Sequence, residues 1–477
     1  MKKRLIAITA LLAITTQVFS CGGTSADPQT QDDLTTTSST ETTPAPNEPD
    51  IPVIDCEGYT LRFATYTDNN GEYFYVEESD GDVVNDAVYE STSAVMENYN
   101  ANIELVFYGA SYNDVKTFTE TSIQAGDDAF DLVHGHDCTM WQMSLGGLFK
   151  NIRELKYQNF DKPWWPLYAN DAYEINGKQY IFSSYISYQS LAWARALFIN
   201  KTIAEEFSLD IPYETVKNGD WTLDEFLKMA KSVYRDLNGN NIQDEEDIYG
   251  FVGYKKLYGF QSAFVNCYSE GDDGKVSIDY DRERFVDVVE RMNQLMNGGE
   301  GGYLTGDEPD SKMFSDGKAL FFYNTLDTLS QEAMRESDID YGILPVPKYD
   351  SEQENYITPS FDCQFAIPVT VSDPDTISLL VESLSASGYN NVRDVYFETA
   401  LSTKYTRDEG SIEMLNIIGD TLMVDLSYLN TSAGINGLGR ALMYCLSNPD
   451  KGIVSYLDSI EASEASIVDK LNEFFGE

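Results

Sequence analysis

From residue 59 onward the apolar positions switch repeatedly between two rhythms. Tyr59–Thr65 alternates, with Leu61 and Phe63 on one side, as a half-buried strand does. Val84, Val88, Val95 and Tyr99 recur on roughly one face, which predicts a helix over 83–99. Ile103–Tyr108 reads as a strand again, 112–125 as a helix, and Asp131-Leu-Val begins a third strand. Strand, helix, strand, helix, strand predicts a parallel α/β sheet. Ligands of such sheets sit beyond the carboxyl ends of the strands, here Tyr66–Asp68 and His134–Asp137.

A second α/β unit opens near Tyr173. Ala196–Asn200 is its first strand, Lys201–Phe207 a helix, and Trp221 introduces a longer helix. Thr222 and Glu225 fit a capping box there, and Leu223, Phe226, Ala230, Val233 and Leu237 form an apolar stripe. Tyr249–Gly253 and Ser315–Asn324 read as strands. Pro374 suits the first turn of a helix and Gly388 its end, and helical segments dominate from there on.

The N-terminal stretch follows neither rhythm. Lys2-Lys3-Arg4 and the apolar run Leu5–Phe19 read as a leader over 1–21, too short to span a bilayer stably. Val18-Phe-Ser-Cys21 resembles a bacterial lipoprotein cleavage signal, with Cys21 as the lipidated residue and Phe19 an imperfect fit. Residues 22–54 are Thr-, Ser-, Asp- and Pro-rich, a disordered tether that cannot bury enough surface to fold. The remaining ~420 residues suffice for two lobes of ~200 each.

With 32 Lys and Arg against 79 Asp and Glu, the formal net charge is −47, which repels phosphate backbones and excludes nucleic acid as a partner. Five cysteines besides Cys21 are widely spaced without a CxxC pair, so no disulfide framework is indicated. Composition therefore describes an acidic, surface-exposed protein. It leaves the ligand open.

Four of the five tryptophans fall between Asp131 and Arg195. Trp and Tyr join a flat apolar face to a polar tip, so a cluster of them beside polar loops reads as the middle of a binding cleft, with packing in the core as the competing reading. The candidate ligand-binding residues are Tyr66, Asp68, Gly135, His136, Asp137, Trp164, Trp165, Tyr185, Ser187, Trp193, Tyr323 and Asn324. A catalytic set is not evident: no GxSxG, HExxH or phosphate-cradling glycine loop stands out. Asp236, Asn238, Asn240, Asp244 and Asp247 occupy positions 1, 3, 5, 9 and 12 of a loop that resembles calcium loops of EF-hand or dockerin type. It departs from them at Asn241, Gln243 and Asp247, and a polar helix-to-strand turn is the competing reading. No cofactor is required; structural calcium is the one candidate.

The order of motifs resembles the extracellular solute-binding proteins of ABC transporters, in the large carbohydrate-type, maltose-binding-like group. It is carried by Gly219–Phe226, Asn176–Tyr180, Asp316–Phe321, Gly342–Lys348 and Tyr396…Lys404–Asp408. The resemblance implies a two-lobed periplasmic-binding-protein-like α/β fold, each lobe a sheet flanked by helices, joined by a crossing hinge. It places lobe one at 55–169 plus 320–363 and lobe two at 170–319 plus 364–477. It implies a monomeric, lipid-anchored receptor on the outer face of the cell membrane, handing a solute, an oligosaccharide by preference, to ABC permease subunits. Two other classes stay open. One is a surface enzyme acting on glycans, for which two carboxylates would suffice. The other is a receptor for a peptide, or for a metal held by His134 and His136.

Overall fold

The computed structural model describes residues 47–67, 71–254, 257–305, 311–361, 363–397, 401, 408–431 and 437–476. The first lobe is built on strands β1 (Tyr59–Thr65), β2 (Ala101–Phe107) and β3 (Leu132–His136). β1 runs parallel to β2 on one side and to β3 on the other. Leu61 and Phe63 are fully buried. The flanking helices span Val83–Tyr99 and Tyr112–Ala125, the bounds that the periodicity predicts. Asp82 caps the first by accepting from the Val84 and Asn85 N–H groups.

The second lobe carries β4 (Arg195–Asn200), β5 (Tyr234–Arg235), β6 (Ile248–Tyr254), the hairpin β7 (Tyr268–Glu270) and β8 (Val276–Ile278), β9 (Gly302–Thr305), β10 (Ala319–Thr325) and β11 (Tyr341–Leu344). Its main sheet has the order β11-β4-β10-β6-β5, with β9 also on β6. β12 (Thr358–Pro359), β13 (Cys363–Ala366) and β14 (Leu422–Met423) follow, and β13 closes the first sheet against β3 in antiparallel register.

The sheets correct the expected lobe boundaries. β10 lies between β4 and β6, so 319–325 belongs to the second lobe, and β11 joins it there. β13 pairs with β3, so the return to the first lobe comes at 363 rather than 320. Helix Pro374–Gly388 packs on helix Val83–Tyr99, with Ser91 Oγ 2.8 Å from Ser387 Oγ, and also belongs to the first lobe. Both β10 and β13 are short apolar strands. Nothing local says which sheet they complete; only the distant partner decides.

The crossings meet in a small ladder. β12 runs parallel to β14, Ser360 pairs with Ala194, and Phe182 exchanges both backbone hydrogen bonds with Phe365 at 2.9 Å. Helix Leu223–Lys231 begins after Thr222 as expected. The Thr222 side chain makes no capping bond, however, and the helix stops six residues before Leu237, which is exposed. The helix that starts at Pro374 ends at Gly388 as expected, and close approach also requires glycine there: a Cβ would lie 1.7 Å from the Tyr185 carbonyl oxygen.

Candidate functional site

The first lobe's contribution starts where β3 ends. His136 is the last strand residue and Asp137 the first of helix Asp137–Leu145. Gly135 permits this turn, because a Cβ there would come 2.8 Å from Met140 Sδ, on that same helix. The His136 ring lies 5.1 Å from Tyr112 and 6.1 Å from Trp193. Tyr66 meets Tyr112 edge-on at 6.4 Å. Asp137 is 1% exposed, with His136 Nδ1 2.5 Å from its Oδ1, yet neither carboxylate oxygen makes a well-formed hydrogen bond among the described residues. The first turn of a helix favours its negative charge.

The second lobe answers from several elements. Trp193 and Arg195 enter β4, and the Arg195 guanidinium lies 5.9 Å from the ring centres of both Tyr258 and Tyr323. Arg195 Nη1 reaches Asn324 Oδ1 at 3.5 Å, and the Tyr323 hydroxyl donates to the Tyr258 carbonyl at 2.8 Å. Tyr428 packs 4.1 Å from Phe361 and 6.4 Å from Tyr258, with the Arg440 guanidinium 5.2 Å from its ring centre. Fully buried Asp425 accepts from the Ser262 and Ser427 hydroxyls and from the Ser427 N–H, which fixes the start of helix Leu426–Thr431 and hence Tyr428.

Burial pushes the Tyr428 phenol well above its usual pKa; the Asp137 charge adds to the shift, while Arg440 and Arg195 oppose it. One ring therefore stands within electrostatic reach of an acid from lobe one and two cations from lobe two. The lobes also touch directly: Trp141 Nε1 donates to Asn430 Oδ1 at 2.9 Å, and Phe475 of the last helix stacks on Trp141 at 6.1 Å.

Four expected ligand residues lie elsewhere. Trp164 and Trp165 are 0% and 1% exposed, and their indole N–H groups donate to the two oxygens of Glu382, each at 2.9 Å. They are core residues of the first lobe, with their polar tips already used. Tyr185 packs on Tyr389 at 5.3 Å, under helix Pro374–Gly388 rather than in the cleft. Ser187 is buried, and its hydroxyl accepts from the Gln189 N–H. Asp68 and Cys21 lie outside the described residues. His134 and His136 do not form a ligand pair: His134 is fully buried between Phe74 and Phe365, and burial lowers its pKa to about 3.

Among the described residues, no group of three or more His, Cys, Asp or Glu side chains is placed to hold a metal ion. In the 236–247 loop the Asn238 and Asn240 amides donate to Asp244, while Asp236 accepts from the Gly239 and Asn241 N–H groups. Asn241 is left-handed, with φ 58°.

The cleft residues that the sequence reading left out are Tyr112, Arg195, Tyr258, Phe361, Tyr428 and Arg440. Arg195 carried a signal, standing two residues after Trp193 at the start of an apolar strand. Tyr428 and Arg440 carried none, since they come from helical segments far along the chain.

No family model and no curated protein matches the sequence. Solved structures do. The chain is similar to UgpB from Mycobacterium tuberculosis in complex with glycerophosphocholine, at TM-score 0.56 and 14% identity over 86% of this chain and 99% of that one. It is similar to an ABC substrate-binding protein from Listeria monocytogenes in complex with cycloalternan, at TM-score 0.54 and 13% identity over 88% of this chain and 99% of that one. A sugar transporter from Rhizobium etli in an open conformation gives TM-score 0.57 and 14% identity over 85% of this chain and all of that one. The fold of this chain is that of two-lobed solute-binding proteins, with the candidate site in the cleft between the lobes.

Proposed function

We propose that this protein is a non-enzymatic solute receptor that closes its lobes around an oligosaccharide and presents it to an ABC importer. One observation carries the reading: aromatic rings and polar groups from both lobes converge on Tyr428. A ligand can favour closure only through contacts that differ between the open and closed forms, and a two-sided site supplies them. Proteins of the same fold hold cycloalternan or are named as sugar transporters, which supports a sugar. The aromatic faces of Tyr112, Trp193, Tyr258 and Tyr428 suit sugar rings, and Asp137 and Asn324 suit hydroxyls.

A thermal-shift screen tests this. At 100 times its dissociation constant a ligand adds ~2.7 kcal/mol, a rise of a few degrees. A shift with one glycan class is expected. Shifts with peptides alone, or with nothing, would sink the carbohydrate assignment.

The receptor acts as a monomer held on the outer face of the membrane by a lipid on Cys21. Among the described residues no helix is long and apolar enough to cross a membrane. Membrane-fractionated protein should yield a lipid-modified peptide beginning at Cys21, and Cys21→Ala should release the protein to the medium. Calcium in the 236–247 loop is part of the same proposal. It is supported by the oxygen spacing and by the left-handed Asn241 at the sixth position, where such loops usually have glycine. As placed, the Asn238 and Asn240 amides serve Asp244 instead, so a melting temperature indifferent to calcium and chelator would remove it.

A further inference from the structure

Arg195 has few polar partners among the described residues. Its Nη1 contact to Asn324 is long at 3.5 Å, and its Nε is buried with no hydrogen-bond partner. It forms no ion pair among the described residues. That is unusual in a chain with 79 acidic residues against 32 basic ones, where carboxylates are plentiful. The nearby acid, Asp137, is on the other lobe and closest to His136. Arg440 brings a second guanidinium to the same place, 5.2 Å from the centre of the Tyr428 ring. A strongly acidic protein thus has two cations against one carboxylate within electrostatic reach of Tyr428.

A neutral oligosaccharide does not need this arrangement. Asp, Asn and Tyr side chains satisfy hydroxyls, whereas a partly desolvated guanidinium is costly until an anion meets it. The planar donor fork of arginine matches a carboxylate in two parallel hydrogen bonds. We propose, on the receptor reading above, that the solute is an acidic oligosaccharide whose uronic-acid carboxylate is read by Arg195. Asp137, across the cleft, takes hydroxyls of a neighbouring uncharged portion, since a carboxylate beside it would be repelled. The net charge of −47 does not defeat this. At ~0.1 M salt the field of distant charges is screened beyond about 10 Å, while groups inside the cleft are screened much less.

Isothermal titration of the intact receptor decides it, using pairs that differ in charge alone: tetragalacturonate with its methyl ester, and glucuronic-acid-substituted xylotetraose with xylotetraose. In at least one pair the acid should bind about tenfold more tightly or better. Arg195→Gln should erase that preference by weakening the acid and leaving the neutral partner within about twofold. Arg195→Lys should retain part of it, and both variants should melt as the parent does. Equal or tighter binding of the neutral members, or a preference that survives Arg195→Gln, overturns the proposal. Binding of neutral oligosaccharides alone overturns it while leaving the receptor reading intact. Absence of binding by every oligosaccharide overturns both.

Discussion

Two places in the first lobe combine aromatic rings with a buried carboxylate, and they are used in opposite ways. At Trp164–Trp165 each indole N–H meets its own oxygen of Glu382 at 2.9 Å, and the Asn159 N–H adds a third donor at 3.3 Å. At the end of β3, Asp137 is equally buried, but its oxygens lack well-formed hydrogen bonds and Tyr112 and Trp193 stand beside His136. The first cluster is closed on itself and serves stability. The second leaves acceptor capacity unused, which is what the proposed ligand site requires. Aromatic content alone cannot separate them; the fate of the polar atoms does.

The contrast can be broken at four points. The largest effect belongs to Glu382→Ala, which strands two buried indole donors at ~1–3 kcal/mol each. Urea denaturation followed by tryptophan emission should show a loss of about 3 kcal/mol or more, with ligand affinity unchanged. Second, burial raises the Glu382 carboxyl to about 7, against the opposing effect of its hydrogen bonds. The fold therefore favours the neutral acid, and that advantage is full below the ordinary carboxyl range and fades as pH rises through 7. The fade should be on the order of 3 kcal/mol, and Glu382→Gln should flatten the slope of melting temperature against pH.

Asp137→Asn is the mirror image of the first test. Its charge loses only the His136 contact and the helix N-terminus, so stability should fall by no more than about 1 kcal/mol, while ligand binding should weaken by ten- to hundredfold, or ~1.4–3 kcal/mol. A stability loss without an affinity loss would make Asp137 a structural residue like Glu382. The smallest effect is expected for Asn430→Ala, which removes the Trp141 contact across the lobes for about 1 kcal/mol. Weakened affinity together with a red-shifted Trp141 emission would identify that bond as one that favours closure.

How much of this was legible in the sequence depends on how far apart the deciding residues are. Helices 83–99 and 112–125 follow from local periodicity and were readable to the residue. The end of β3 was readable as a strand end, and His136 and Asp137 stand where it gives way to a helix, the place at which parallel sheets are expected to meet ligands. The lobe assignment of β10 and β13 was not readable, because strand pairing is a long-range choice. Trp164 and Trp165 resembled ligand platforms only while Glu382, over two hundred residues later, was invisible as their partner. Tyr428 and Phe361 were missed for the same reason, each supplying one ring to a site assembled from distant segments.

The crossing ladder of β12, β14 and Ala194 is held mainly by main-chain atoms: Thr358 N–H to Thr421 O at 2.8 Å, Ser360 N–H to Met423 O at 2.9 Å, and the Ala194–Ser360 bridge. Main-chain bonds do not depend on which side chain a residue carries. If the lobes close as proposed, this axle tolerates many side-chain changes, while the rings and charges on the cleft walls do not. A lineage could exchange one solute for another by rewriting the walls and keep the same mechanical movement throughout.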